Sequence, residues 1–114
     1  MTNPDRWIPL KPVVFHILLA LAEEDSYGYG VIQAVREKSG GRIDLKTGPF
    51  YRHLRKLLDT GLVAETGVRP DDDARRGAWY TLTPLGRSVL SAETRRLAEL
   101  VDASRALGLA GPGA

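Results

Sequence analysis

The chain has 114 residues, of which 43% are hydrophobic and 26% charged, with a formal net charge of +2 at pH 7. Such a chain forms one domain with a modest core, and the absence of cysteine excludes disulfides and thiolate metal ligands. No apolar run is long enough to predict a transmembrane helix, and the first residues are polar without a signal-peptide pattern. We therefore expect a globular, cytoplasmic protein.

The first predicted helix covers residues 10–24 and is apolar on two sides. Val14 and Ile17 belong to the stripe expected to face the core, while Phe15 and Leu19 lie on roughly the opposite side. A helix that is apolar nearly all round needs cover on both sides, and a protein of this size has one core. The stripe with Phe15 and Leu19 is therefore predicted to meet a second subunit.

Two more helices are predicted after short connections. The second covers residues 28–39, and Ser26 is its predicted N-terminal cap. The third starts at Thr47, which is also a predicted cap, and ends before Gly61, a residue suited to the position after a helix.

The third predicted helix has two contrasting faces. Its apolar residues recur at helical spacing: Phe50, Leu54, Leu57 and Leu58. Its other face is basic and aromatic: Tyr51, Arg52, Arg55 and Lys56. A helix held to a core on one side and basic on the other suits insertion into the major groove of DNA, with Thr47 at its start as a further contact. The alternative is an amphipathic helix whose charged face is only solvated. For His53, core packing and phosphate contact are equally open.

A hairpin with a polar tip follows the third helix. Residues 62–68 and 77–82 have strand character and flank a charged loop. Arg75 and Arg76 in this loop are predicted to contact DNA, because arginine is favoured along the minor groove and the backbone. The alternative is that they pair with the acidic residues 71–73 of the same loop. These three consecutive carboxylates are not expected to hold a cation, because they cannot all face one ion.

The last predicted helix runs over residues 84–107, with Thr83 as its cap. At ~1.5 Å per residue it would be about 35 Å long, which is more than a small core covers. Its apolar residues and those of the first helix make up the predicted dimer interface: Phe15, Leu19, Val89, Leu90, Leu97, Leu100, Val101 and Leu107. Glu93 and Arg96 fall inside this band, three residues apart, and are predicted to pair with each other or across the interface.

Three helices, a hairpin and a long helix predict a mainly α protein with a small β-hairpin (α+β). Residues 1–82 would form a winged helix-turn-helix domain, with the wing at about residues 62–82. Residues 83–108 would form a C-terminal dimerisation helix, and residues 109–114 a flexible tail.

Four short motifs occur in a characteristic order along the chain. They are Tyr27-Gly28-Tyr29, the segment Gly48-Pro49-Phe50-Tyr51-Arg52-His53-Leu54-Arg55-Lys56-Leu57, Gly61-Leu62-Val63, and Arg76 with Tyr80-Thr81-Leu82-Thr83 and Gly86. Over residues 10–107 the chain resembles the PadR-like transcriptional regulators, in particular their subgroup with a short single C-terminal helix. Two positions differ from the usual family pattern. Gly30 replaces a helix-favouring residue at a cost of about 1 kcal/mol relative to alanine, and Arg52 stands where the family often has proline.

The resemblance implies a dimeric repressor that binds a palindromic operator in double-stranded DNA and is released by a small molecule or a stress signal. A second class of function stays open, namely a winged helix that binds other proteins and not DNA. The outward face of the third helix discriminates between them. Protein-binding versions tend to be acidic or apolar there, whereas this face is basic.

No catalytic residue, cofactor or metal site is expected, because the chain lacks cysteine, has two histidines and contains no Gly-rich phosphate loop. An inducer, if it is a small molecule, is predicted to be apolar or aromatic. It would bind between subunits near Trp7 and Phe15, because the two-sided first helix should line an intersubunit cleft.

Overall fold

The computed structural model describes residues 3–69 and 71–109. Its elements are α1 (Pro12–Glu23), β1 (Ser26–Tyr27), α2 (Gly28–Lys38), α3 (Thr47–Asp59), β2 (Val63–Val68), β3 (Ala78–Leu82) and α4 (Pro84–Ala106). Short 3-10 turns lie at Pro4–Trp7 and Ala74–Arg76. The predicted class, mainly α with a small β structure, is confirmed, while residues 110–114 of the predicted tail lie outside the described residues. Along the described ranges, none of the helices combines the length and apolarity that crossing a bilayer requires.

Helices α1, α2 and α3 enclose one hydrophobic core. The side chains buried there come from all three: Ile17, Leu18, Val31, Val35, Phe50, Leu54 and Leu57. The stripe predicted for the third helix is therefore confirmed, because it packs inward along its length. The backbone of Gly61 adopts a φ of 81° directly after the end of α3, a conformation that glycine adopts at little cost, which confirms its predicted position.

The small sheet has three antiparallel strands in the order β1-β3-β2. The hairpin of β2 and β3 is the predicted wing. The third strand, β1, was not predicted from the sequence. Ser26 pairs with Tyr80 and Tyr27 pairs with Trp79, so the predicted role of Ser26 as a helix cap is wrong. Tyr27 occupies the cap position of α2 without a side-chain hydrogen bond.

The start of α3 also differs from the prediction. Lys46 occupies the cap position without a capping side-chain bond, and Thr47 is the first helical residue. The Thr47 side chain is therefore not used as a cap, and the residue is exposed at the first turn of the helix. By contrast, Thr83 caps α4 as predicted, because its hydroxyl oxygen accepts the backbone N–H of Gly86 at 2.9 Å.

The first half of α4 belongs to the core of the protomer. Val89 is fully buried and Leu90 nearly so. Their predicted place in a dimer interface is therefore wrong, because α1 and the sheet already cover this part of α4. The part of the predicted band that stays uncovered begins after Arg96.

Glu93 is buried in α4 and links it to the start of the chain. Its Oε2 accepts the backbone N–H of Leu10 at 2.6 Å, and Arg96 Nε donates to its Oε1 at 2.5 Å. The predicted pairing of Glu93 with Arg96 is thus confirmed within the protomer. Hydrogen bonding from Arg96 is the main reason why the pKa of Glu93 lies below its usual value.

Replacement of Glu93 by glutamine is expected to lower the free energy of unfolding at pH 7 by about 1–3 kcal/mol, the range for a hydrogen bond to a charged group. A carboxyl whose pKa is depressed by folding stabilises the protein above its unfolded pKa near 4.3, and this contribution is lost as the pH falls. Urea unfolding at pH 7 and pH 3 should therefore show a difference from wild type that shrinks at the lower pH. Glu99→Gln, on the exposed side of α4, is the matched control, and an equal effect of both substitutions would contradict this role.

Gly30 in α2 has a packing reason. A Cβ at this position would overlap with Oγ of Ser26 and lie 3.2 Å from the ring of Tyr27. Glycine at position 30 lowers the helix propensity of α2, but it allows α2 to lie close to β1.

Candidate nucleic-acid interface

Helix α3 presents its predicted outward face to solvent. Tyr51 is 47% exposed, and Arg52, Arg55 and Lys56 are exposed as well. Because Phe50 and its stripe anchor the opposite side in the core, α3 projects a fixed row of side chains outward. This is the arrangement that a recognition helix requires.

The basic side chains of this face carry uncompensated charge. Within residues 3–69 and 71–109, neither Arg52, Arg55 nor Lys56 forms an ion pair. Surface arginines and lysines that serve only solubility are often balanced by nearby carboxylates. An unbalanced cluster on one helix face attracts polyanions.

Tyr51 is held in place although half of it is exposed. Its ring packs edge-on against Phe50, with ring centroids 4.9 Å apart. Its hydroxyl lies so close to the first residue of α2 that a Cβ at Gly28 would be 2.5 Å from the oxygen. The absence of a side chain at Gly28 therefore leaves room for the Tyr51 hydroxyl beside the start of α2, a role that sequence reasoning missed.

His53 lies half-buried at the edge of the α3 stripe. Burial lowers its pKa, and the nearby charges of Lys11, Arg52 and Lys56 lower it further. The imidazole is therefore neutral at pH 7, and it sits in a positively charged environment. Its position combines packing against the core with access to solvent, and phosphate contact by His53 stays a prediction.

Two of the three acidic residues of the wing tip form ion pairs with arginines of the same loop. Arg75 Nη2 donates to Asp73 Oδ2 at 2.9 Å, and Arg76 Nη1 donates to Asp72 Oδ1 at 2.8 Å. Asp72 also accepts the indole N–H of Trp79 at 2.5 Å. The pairing alternative considered from the sequence is thus realised in the structure, and DNA contact by Arg75 and Arg76 stays a prediction. The Arg75 side chain holds the pKa of Asp73 below its usual value.

Side-chain contacts stabilise the wing internally and fasten it to the body of the protein. The guanidinium of Arg69 lies 3.7 Å from the centroid of the Trp79 ring, and that of Arg76 lies 4.7 Å from the Tyr27 ring. Thr81 Oγ1 donates to Asp25 Oδ1 at 2.7 Å. These residues are far apart in sequence, so no local pattern could have found the contacts.

Substitution of Arg75 by alanine is expected to weaken binding to all DNA sequences alike and to lower the slope of log K against log salt by about 1. The side chain is 91% exposed despite its ion pair, and an exposed pair is worth at most about 1 kcal/mol, so a phosphate competes with Asp73. Fluorescence anisotropy over a salt series measures the slope. Asp73→Asn is the matched variant and should strengthen binding. An unchanged slope in both variants would show that Arg75 makes no contact with phosphate.

The far end of α4 carries an uncovered apolar surface. Leu100 is 51%, Val101 44% and Leu107 76% exposed, and Leu97 is half-buried. On α1, Leu19 is exposed and Phe15 half-buried. These six residues, the α4–α1 apolar surface, are the part of the predicted dimer interface that stays available to a partner.

Phe15 does not line the cavity that Trp7 lines in the protomer. Trp7 lines a cavity with Val14, and Phe15 is not among the residues of its wall. The reason is helical rotation, since consecutive residues of α1 point about 100° apart. A pocket lined by both side chains would need the second subunit, as the sequence-based hypothesis stated, and it stays a prediction.

The helical core, the wing formed by β2 and β3, and the exposed basic helix define a winged helix-turn-helix protein. Residues 17–92 match the model of the transcriptional regulator PadR-like family. The chain therefore belongs to this family of transcriptional regulators, as the motifs predicted.

Two proteins of related sequence are described as uncharacterised. The chain is 34% identical over 84 residues to an uncharacterised 37.1 kDa protein in transposon TN4556 of Streptomyces fradiae, an overlap of 74% of this chain and 22% of that protein. The chain thus corresponds to about a fifth of that relative's length. It is 26% identical over 86 residues to the uncharacterised protein X of Lysinibacillus sphaericus, covering 75% of this chain and 78% of the relative.

Solved structures share the fold. A PadR family transcription regulator from Clostridium difficile superimposes with a TM-score of 0.74 at 22% identity, covering 85% of this chain and 98% of the other. Bacillus subtilis PadR, solved in complex with operator DNA, superimposes with a TM-score of 0.62 at 24% identity, covering 72% of this chain and 46% of the other.

Proposed function

We propose that this chain is a homodimeric repressor that recognises a palindromic operator through α3. The observation that carries the proposal is the exposed, unpaired basic face formed by Arg52, Arg55 and Lys56 on a helix anchored in the core. Family membership supports it, as does the solved complex of a relative of the same fold with operator DNA. A repressor has to reach chromosomal DNA, which agrees with the cytoplasmic location expected from the sequence.

The side chains of α3 divide the recognition between them. Arg52 and Arg55 have the two-pronged donors that pair with guanine in the major groove. Tyr51 and Lys56 suit phosphate oxygens, and Thr47, exposed at the first turn, adds a hydroxyl near the positive end of the helix dipole. Phosphate contacts position the helix, and the arginines read the sequence.

The second subunit binds through the α4–α1 apolar surface. Side chains as exposed as Leu100 and Leu107 at the end of a long helix are unfavourable in water, and a second copy covers them. A two-fold dimer places two α3 helices about 34–36 Å apart, in successive major grooves on one side of the duplex. This spacing requires an operator with two inverted half-sites.

Replacement of Arg52 or Arg55 by alanine is expected to weaken operator binding by about 1–3 kcal/mol and to weaken binding to random DNA much less. The operator is first obtained by selection from a random pool, and anisotropy titrations then measure both affinities. Arg95→Ala, an exposed arginine of α4, is the control and should leave both affinities unchanged. Equal losses on both DNAs would assign the arginines to phosphate, and no loss on either would refute α3 as the recognition helix.

The protein-interaction alternative is tested by the same titrations. A winged helix that binds other proteins would select no operator from the pool. It would also show no salt-dependent retention on DNA. The basic charge of α3 argues against this alternative, because a protein-binding face is more often acidic or apolar.

A further inference from the structure

The three consecutive carboxylates at the wing tip, the loop between β2 and β3, have different environments. Asp71 and Asp73 are exposed, whereas the side chain of Asp72 turns inward and is only 9% exposed. Its two carboxylate oxygens accept from two different donors. Arg76 Nη1 donates to Oδ1, and the indole Nε1 of Trp79 donates to Oδ2. The wing tip is thus folded around one of its three carboxylates.

The backbone of the wing tip is ordered around the same residue. The N–H of Asp72 donates to the carbonyl oxygen of Arg69 at 3.1 Å, and the N–H of Arg76 donates to that of Asp73 at 2.9 Å. The Asp73 side chain also accepts the backbone N–H of Arg75 at 3.0 Å. These bonds fix the direction in which the Arg75 side chain leaves the loop, and that side chain is almost fully exposed.

Trp79 connects the wing tip to the body of the protein. It lies in β3 and pairs with Tyr27 of β1, with the ring centroids 5.3 Å apart. Tyr27 directly precedes α2, whose first residue, Gly28, lies beside the hydroxyl of Tyr51 in α3. A loop that is held by Trp79 is therefore held at a fixed place relative to the outward face of α3.

We propose that Asp72 is a positioning residue for DNA binding, because it holds the wing tip in the shape that presents Arg75 to a phosphate. This inference deepens the proposed function and rests on it. A loop that is ordered before binding loses less conformational entropy when it meets DNA. An acidic residue that acted only through its charge would have the opposite effect, since a carboxylate near phosphates repels them. The direction in which its removal changes DNA affinity therefore separates the two roles.

Asp71 offers a matched control of equal charge. Asp72→Asn and Asp71→Asn each remove one negative charge from neighbouring positions of the same loop. Asparagine at position 72 replaces one acceptor oxygen by an amide donor, so it cannot accept at both positions. With an operator selected from a random pool, anisotropy should show about three- to tenfold weaker binding for Asp72→Asn, the cost of ordering a freed loop. Asp71→Asn should bind as tightly as the wild type or more tightly.

Trp79→Phe breaks the same hydrogen bond without a change of charge. Phenylalanine keeps a ring beside Tyr27 but has no N–H for Asp72. We expect a loss of operator affinity similar to that of Asp72→Asn, and a loss in the double variant that is smaller than the sum of the two. Circular dichroism reports whether each variant is folded. Trp79→Phe decides the question if Asp72→Asn does not fold, and unchanged affinity of a folded Trp79→Phe would overturn the proposal.

A second double-variant cycle shows whether Asp72 acts through Arg75. Arg75→Ala should weaken operator binding in the wild-type background and have at most about half of that effect in the Asp72→Asn background. Residues that contribute independently would give additive losses. Additive losses, or tighter binding of Asp72→Asn than of the wild type, would each overturn the proposal.

NMR tests the arrangement of the wing tip without DNA. The indole N–H of Trp79 should exchange with solvent several times faster in Asp72→Asn than in the wild type and at an unchanged rate in Asp71→Asn. The indole N–H of Trp7 is the internal reference. An unchanged exchange rate in Asp72→Asn would refute the proposal. Failure to select any operator would refute the proposed function of α3, while the exchange rates would still decide whether Asp72 holds the wing tip.

Discussion

Introducing glutamate at both Leu100 and Val101 is expected to convert the proposed dimer into a monomer and to lower operator affinity by about two orders of magnitude. Both side chains are about half exposed in the protomer, so the substitutions leave its core intact. In the dimer they would bury four carboxylates without partners, which costs several kcal/mol. The loss in affinity follows because each half-site must then be bound independently.

Sedimentation measures the mass of this variant, and circular dichroism reports whether the protomer is folded. Arg95→Glu introduces a comparable charge change on another side of the same helix and should stay dimeric. Truncation after Leu90 is a poorer test, because it removes the buried Glu93 and its bond to Leu10. A variant that remains dimeric and still protects two half-sites in a footprint would refute the role of the α4–α1 apolar surface.

Substitution of Gly86 by alanine is expected to reduce the free energy of unfolding by about 3 kcal/mol, at the upper end of the range for overpacking. A Cβ at this position would overlap with the carbonyl oxygen of Leu62 and lie 2.7 Å from Cδ1 of Leu82. The carbonyl cannot move easily, because it accepts the backbone N–H of Thr83 at 3.2 Å. The first turn of α4 would therefore have to separate from the base of the wing.

Urea unfolding of Gly86→Ala measures this effect, and Gly48→Ala is the matched control. A Cβ at Gly48 meets no atom within 4 Å, so the same change in α3 should preserve stability or raise it by up to about 1 kcal/mol. Equal stabilities of the two variants would show that α4 does not depend on close contact at Gly86.

The sequence predicted the part of the interface that depends on local periodicity. Phe50, Leu54 and Leu57 recur at helical spacing, and this repeat assigns the inward side of α3 without any knowledge of the other helices. The outward side, with Arg52 and Arg55, follows from the same repeat. The residues predicted to begin α4 and to follow the end of α3, Thr83 and Gly61, were also identified correctly from the sequence.

Contacts between distant segments were not predictable in this way. Ser26 and Tyr27 form a strand only because Trp79 and Tyr80 lie beside them, and two residues are too few for a recognisable pattern. Val89 and Leu90 carry the same apolar signal as Leu100, so the sequence could not tell which part of α4 its own protomer covers. The ion pairs at the wing tip depend on the 3-10 turn at Ala74–Arg76, which the loop sequence does not indicate.

The hydrogen bond between Leu10 and Glu93 connects the N-terminal segment directly to α4. Leu10 donates its N–H to Glu93 and also forms part of the wall of the cavity lined by Trp7 and Val14. In the proposed dimer, a change in how two α4 helices meet would therefore reach the N-terminal segment through this hydrogen bond. By thermodynamic reciprocity, a molecule that bound at this segment and changed dimer affinity by some factor would have its own affinity changed by the same factor on dimerisation.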